Sequence, residues 1–262
     1  MISGISIRLF PRLVVPLVLA LLAETPVRAQ DTATSEYGGW EFQISPYAWF
    51  VNLDGKAATI RGLPPVDIDA NFSDVWDNLN FGALTVLEAR RGRFGLKADL
   101  IYMDLEASGG TPGPLFSGTD AEFKTFVSTV SGTYRPFVEG RTWLDVLAGA
   151  RIWVTDTEIT LNSNVLPNLS ADEKETWVDP IVGTRGTYDL GSGFSLSGYG
   201  DIGGFGVASD LTYQIYGGVG YRFKEWFSAE LGYRVLDVDY DDDGFVYDLT
   251  MYGPTAGFRL QF

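Results

Sequence analysis

The chain has 262 residues with 19 basic and 34 acidic side chains, no histidine and no cysteine. Its formal net charge of −15 repels nucleic acid and anionic lipid, so neither is expected as a partner. The missing cysteines exclude disulfides and thiolate metal ligation, while 14% aromatic residues and 31 glycines argue for a folded, turn-rich chain rather than disorder.

Residues 1–29 read as a signal peptide. Arg8 and Arg12 supply a positive flank, LVVPLVLALLA supplies a short apolar core, and Val27 and Ala29 precede a cut at Gln30. The apolar run falls well short of the roughly 20 residues a spanning helix needs. Residues 30–39 are then a periplasmic tail and residues 40–262 the folded domain. Without Arg8, Arg12, Arg28 and Glu24 the mature chain keeps 16 bases and 33 acids, a net of −17.

From Trp40 onward the recurring signal is period-two alternation, which places alternate side chains on opposite faces of a strand. Trp40, Phe42, Ile44, Pro46, Ala48 and Phe50 face away from Glu41, Gln43 and Ser45. Phe94, Leu96, Ala98, Leu100 and Tyr102 alternate with Gly95, Lys97 and Asp99. Leu144, Val146, Ala148, Ala150, Ile152 and Val154 alternate with Asp145, Gly149 and Arg151. The same pattern runs through residues 211–223 and 227–235, and looser strands are predicted over 80–91, 121–136, 176–189, 193–206 and 246–262. That makes ten, with eight or twelve as alternatives.

The predicted connections alternate between long, acidic ones (53–79, 104–120, 156–175, 206–210, 237–245) and short ones at Arg91-Gly92-Arg93, 138–142, 190–193 and Lys224-Glu225. Long and short turns in alternation along an even number of strands predict an all-β, antiparallel, up-and-down transmembrane β-barrel with its short turns periplasmic. The parity opposite the apolar one holds Glu41, Glu88, Arg90, Lys97, Asp99, Asp145, Arg151, Asp179, Arg185, Asp201, Arg222, Glu230, Arg234 and Arg259. A charge on the lipid face would cost about 2–4 kcal/mol at midplane, so these are expected inside, as a charge-paired network filling a narrow lumen. The net negative charge then falls on the outer loops.

Three loop motifs carry competing readings. DVWDNL (Asp74 to Leu79) reads as one helical turn capped by Ser73, either a lid over the mouth or a folded-over loop. GGFG (Gly203 to Gly206) has neither the following helix nor the lysine of a phosphate-binding loop, and reads as a strand end that glycine lets kink. DVDYDDDG (Asp237 to Gly244) copies the first half of a calcium loop, but position twelve is Thr250 instead of glutamate and no flanking helices are predicted. It is expected to be a hydrated hairpin tip, with loose Ca²⁺ or Mg²⁺ recruitment at Asp239, Asp241 and Asp243.

The chain ends GPTAGFRLQF. Gly257, Phe258, Leu260 and Phe262 resemble the C-terminal signal read by the barrel-assembly machinery of Gram-negative bacteria. Together with WVDPIVGTR, DIGGFGVASD and LGYR, this ending resembles an uncharacterised family of proteobacterial outer-membrane β-barrel proteins, distantly akin to the small barrels of the outer membrane protein A and opacity type. The resemblance runs from about Trp40 to Phe262 and implies residence in the cell outer membrane, among lipid and lipopolysaccharide.

Barrel enzymes of that membrane move protons with an imidazole, which this chain lacks, so no enzymatic activity and no cofactor are expected. The expected function is a structural or surface-interaction role in the envelope. The alternative is a narrow channel for ions or small solutes.

Overall fold

The structure, a computed structural model, describes residues 39–109, 118–163 and 167–262. The predicted signal peptide and nearly all of the N-terminal tail lie outside the described residues. The chain runs β1 (Glu41–Trp49), β2 (Asn52–Ala58), β3 (Val66–Ala70), α1 (Phe72–Asp77), β4 (Leu79–Arg91), β5 (Phe94–Gly109), β6 (Gly118–Glu139), β7 (Thr142–Asn162), β8 (Leu169–Gly191), β9 (Phe194–Gly204), β10 (Leu211–Lys224), β11 (Phe227–Asp242) and β12 (Phe245–Gln261).

From β4 to β12 each strand pairs with the next, and β1 closes the cylinder by pairing with both β4 and β12. β2 continues β1 along β12 in the same register, with Trp49 opposite Thr255 and Asn52 opposite Tyr252. Counted around the wall, the described residues therefore form a closed antiparallel barrel of ten strands, as the alternation predicted. β3 pairs with the upper part of that composite first strand, where β4 no longer reaches it. No helix among the described residues is long and apolar enough to cross a membrane.

The strands are longer than expected. β6, β7 and β8 have 22, 21 and 23 residues, whereas β9 has 11. About 9–11 residues suffice to cross a bilayer, so one side of the wall rises well above the apolar zone and the β9–β10 side stays low. Much of what reads as acidic loop in 104–120, 156–175 and 237–245 is strand.

The reason is visible in β11. Its outward residues Leu231, Tyr233 and Val235 are followed, without a change of parity, by Asp237, Asp239 and Asp241. Its inward residues Ser228, Glu230 and Arg234 are followed by Leu236, Val238 and Tyr240. Leu231 is 67% exposed and Leu236 fully buried. The pleat is continuous, but the medium on each side is exchanged. The same level recurs across the wall, where Asp104 faces Lys124, Lys124 faces Asp156, and Asp156 faces Lys174. Opposite charges directly across a sheet stabilise the pairing. Here they also mark where the outer surface turns from apolar to wet.

DVDYDDDG is accordingly strand β11 plus a two-residue turn. Asp242 pairs with Phe245, and Asp243 and Gly244 take φ of 48° and 85°. Both central residues of a type I′ hairpin turn need positive φ, which Asp-Gly supplies at little cost. At the opposite end, Gly92-Arg93, Gly140-Arg141, Ser192-Gly193 and Glu225-Trp226 make two-residue turns between paired strand ends. The GGFG segment does end a strand, with Gly204, Phe205 and Gly206 all at positive φ. α1 starts earlier than predicted. Asn71, not Ser73, is its cap, because the Asn71 side chain accepts from the Ser73 and Asp74 amides while Asp74 reaches back to the Asn71 amide.

Candidate functional site

The lumen has two layers of opposite character. In the lower layer, toward the short turns, Asp145 is fully buried and gathers three guanidiniums: Arg135 at 2.7 Å, Arg185 at 3.0 Å and Arg90 at 2.5 Å. Glu88 bridges Arg90 and Arg185, at 3.0 and 2.6 Å. Trp143 lies inside as well, its ring beneath Arg135 at 4.1 Å and Arg185 at 5.2 Å. Although Trp143 stands at a strand end, its parity is that of Asp145 and points inward.

Further up, Arg234 donates to Asp99, Gln214 and Tyr47, and the Tyr47 hydroxyl donates to the other Asp99 oxygen. Arg151 reaches both oxygens of Asp201, at 2.8 and 2.7 Å, and also donates to Thr129 and Thr212. Its direct cross-strand neighbour is Asp179, which instead accepts from the Ser209 amide and hydroxyl at 2.8 Å each. Strand register alone would have paired Arg151 with the wrong carboxylate.

Back at the short-turn rim, Arg259 pairs with Glu230 at 2.7 Å. Tyr216 donates to Glu230 at 2.6 Å, and its ring lies over Gly218 and Gly232, where a Cβ on either glycine would collide with it. Arg222 is half-buried at this rim and Glu41 is exposed. Arg90, Lys97, Arg135, Arg151, Arg185, Arg234 and Arg259 thus gather with Glu88, Asp99, Asp145, Asp201 and Glu230. The cations of this cluster outnumber the anions, because Asp179 turns aside to Ser209 and Arg135 joins from the strand end.

The upper layer is dry. Trp153, fully buried, stacks on Trp177 at 5.5 Å, and Trp177 stacks on Tyr240 at 4.2 Å, with Phe245 and Tyr247 edge-on to Trp177. Met251, Leu249, Val127 and Ile101 complete the cluster, and Val75 of α1 adds to it. Parity arguments assigned water and ions to the whole middle of the barrel; above the Arg151 level that expectation is corrected. Stacked aromatic rings bury large apolar areas, and apolar inward positions beside acidic outward ones are what a water-bathed extension of the wall requires.

Arg61, in the turn between β2 and β3, straps this mouth shut. Its backbone N–H donates to Glu173 at 2.8 Å, and its guanidinium bonds Glu173, Glu175 at 2.8 Å and Asp242 at 3.3 Å. The guanidinium also lies 5.7 Å from the Phe245 ring centre. The Arg61 amide, and then its side chain, hold the Glu173 carboxyl below the usual glutamate range. Burial, and then the charge of Glu175, push the Tyr240 hydroxyl up to about 12. No periodicity in the sequence singles out Arg61, since it lies in a turn.

The remaining predicted residues fall elsewhere. Asp239 and Asp241 lie on the outer face of β11 and Asp243 in the turn. Among the described residues no group of three or more acids could hold a metal ion. Phe258, Leu260 and Phe262 share the outward parity at the end of β12, with Phe258 and Phe262 strongly exposed. Gly257 faces Tyr47, whose Cβ leaves no room for a side chain there.

Neither a scan against protein-family models nor a search of curated proteins finds a match to the sequence. Solved structures do match. The outer membrane protease OmpT from Escherichia coli superposes with a TM-score of 0.59 at 12% identity, covering 87% of this chain and 100% of that one. The transport unit of the autotransporter AIDA-I from Escherichia coli matches at 0.43 and 8% identity over 93% and 94% of the two chains. Neisserial surface protein A matches at 0.34 and 14% identity over 86% and 98%. The latter two scores are too low to carry an argument. The first overturns the expectation that this chain is no enzyme: a barrel of this architecture houses a protease, and a missing imidazole removes one proton carrier without removing carboxylate chemistry. At 12% identity the likeness concerns the fold alone and assigns no activity. The chain has the fold of the outer-membrane β-barrels.

Proposed function

We propose that the protein is an integral barrel of the bacterial outer membrane with a structural or surface-interaction role in the envelope, presenting an acidic wall above the bilayer over a closed lumen. The observation that carries this reading is the exchange of polarity along β11 between Val235 and Asp237. An apolar outer band as broad as the one below that level, with Leu96, Val182, Ile215, Val219 and Leu231 all exposed, is stable against hydrocarbon and not against water.

Lipid and lipopolysaccharide are the partners of the wall, with Ca²⁺ or Mg²⁺ held loosely between lipopolysaccharide phosphates and the acids around Asp239, Asp241 and Asp243. The ending at Gly257, Phe258, Leu260 and Phe262 serves barrel assembly, and the resemblance to a proteobacterial family akin to the outer membrane protein A and opacity barrels is part of the same reading. Export on a signal peptide precedes insertion.

Membrane fractionation followed by planar-bilayer recording tests the proposal. A heat-modifiable, membrane-bound protein without steady unitary currents is the expected result. Steady unitary steps would replace the closed-lumen reading with a narrow channel, and recovery from the periplasm without detergent would remove the membrane reading altogether.

A further inference from the structure

The lower layer holds a cavity of about 160 Å³, lined by Lys97, Tyr199 and Arg234 and, toward the short-turn end, by Gln43, Thr187 and Arg259. Three groups on its wall are donors without an acceptor. The Lys97 side chain is only 6% exposed, and its ammonium makes no hydrogen bond. The nearest carboxylate oxygen, on Asp99, is 3.9 Å away, and that carboxylate already serves Arg234 and Tyr47. The ring centre of Tyr199 lies 4.7 Å from the ammonium and offers it no lone pair. The Ser197 hydroxyl and the Nε–H of Arg234 are both buried and unpartnered.

A buried ammonium without an acceptor is costly, and so is each buried donor left unmade. The orphans on this wall include two cationic donors and a hydroxyl, within a cluster whose cations outnumber its carboxylates. Waters could occupy the space, but water brings no charge to compensate Lys97. An oxyanion supplies both charge and several acceptor lone pairs, and charge-assisted bonds to it are the strong kind.

We propose that this cavity is a binding site for a small oxyanion of phosphate or short-carboxylate size, entering from the short-turn side, with Lys97 as its charge partner and Ser197 and Arg234 as its directional donors. The ligand sits below the dry aromatic layer, so the site is a dead-end pocket. Trp143, at the mouth, lies close enough to report occupancy.

The test is a titration of the refolded protein in detergent with sodium phosphate, read by Trp fluorescence and calorimetry, against sodium chloride at matched ionic strength. Saturable binding of phosphate is expected, weakened about tenfold or more in Lys97→Met and severalfold in Ser197→Ala, and largely retained in Lys97→Arg. Lys124→Met, on the outer wall, should leave it unchanged. If Lys97→Met does not give the heat-modifiable folded form, Ser197→Ala, which removes one hydroxyl, carries the comparison. The proposal is overturned if phosphate gives no saturable signal, if chloride reproduces it, or if folded Lys97→Met and Ser197→Ala both bind as the parent does.

Discussion

The rings of Trp177 and Tyr240 lie 4.2 Å apart and within 3° of parallel, although β8 and β11 are separated around the wall by β9 and β10. The contact spans the low side of the barrel, so two tall strands close over a short hairpin. The Trp177 indole N–H donates to Ser209 at 3.0 Å, tying the β9–β10 connection into the same closure. Trp177→Ala removes the middle ring of the stack and leaves a cavity. We expect a loss of about 3–5 kcal/mol, measured as a lower temperature for the heat-modified shift on gels, together with new current fluctuations in planar bilayers.

Asp145 gives a second prediction. It is buried completely and accepts from Arg90, Arg135 and Arg185, so Asp145→Asn leaves three guanidiniums short of one negative charge. Breaking a buried charge arrangement from one side costs about 3–5 kcal/mol. Urea unfolding in lipid vesicles should show that loss, while Glu41→Gln at the exposed rim should leave the midpoint in place.

The Arg61 strap is sensitive to acid. Glu173 has a lowered pKa in the folded protein, so its contribution to closure is complete above the ordinary glutamate value and is lost as the pH falls through its own, lower one. Glu175 and Asp242 share the same guanidinium. Protection against hydrogen exchange over residues 59–65, corrected for the intrinsic pH dependence of exchange, should be high at neutral pH and fall on acidification. Glu173→Gln should show low protection already at neutral pH, and an unchanged profile in that variant would remove the strap from the account.

The position of the bilayer is predicted from β11 alone. A spin label at Val235 should be reached by oxygen dissolved in acyl chains, one at Asp237 by a water-soluble nickel complex, and one at Leu236 by neither. Labels at Tyr102 and Asp104 on β5 should divide in the same way, because Asp104 begins the alternating rung that runs through Lys124, Asp156 and Lys174.

Period-two alternation places the strands, because a wall with lipid outside tolerates one parity only, and the rhythm of long and short connections gives their antiparallel order and the short-turn end. The closed pairing of β1 with β4 and β12 settles their number at ten rather than eight or twelve. The alternation determines equally that Arg90, Asp99, Asp145, Arg151 and Arg234 point inward. The height of the wall was hidden, since charge on the outward parity of a strand standing in water is indistinguishable, residue by residue, from charge on a loop. Only the tertiary structure decided which inward charges meet. Arg151 reaches past its neighbour Asp179 to Asp201, and Arg61 crosses the mouth to Glu173, because partners in a closed cylinder are chosen across its interior as well as along its wall. The same closure stacks Trp153, Trp177 and Tyr240 into one dry layer and leaves Lys97 facing a cavity, neither of which follows from the spacing of residues along any single strand.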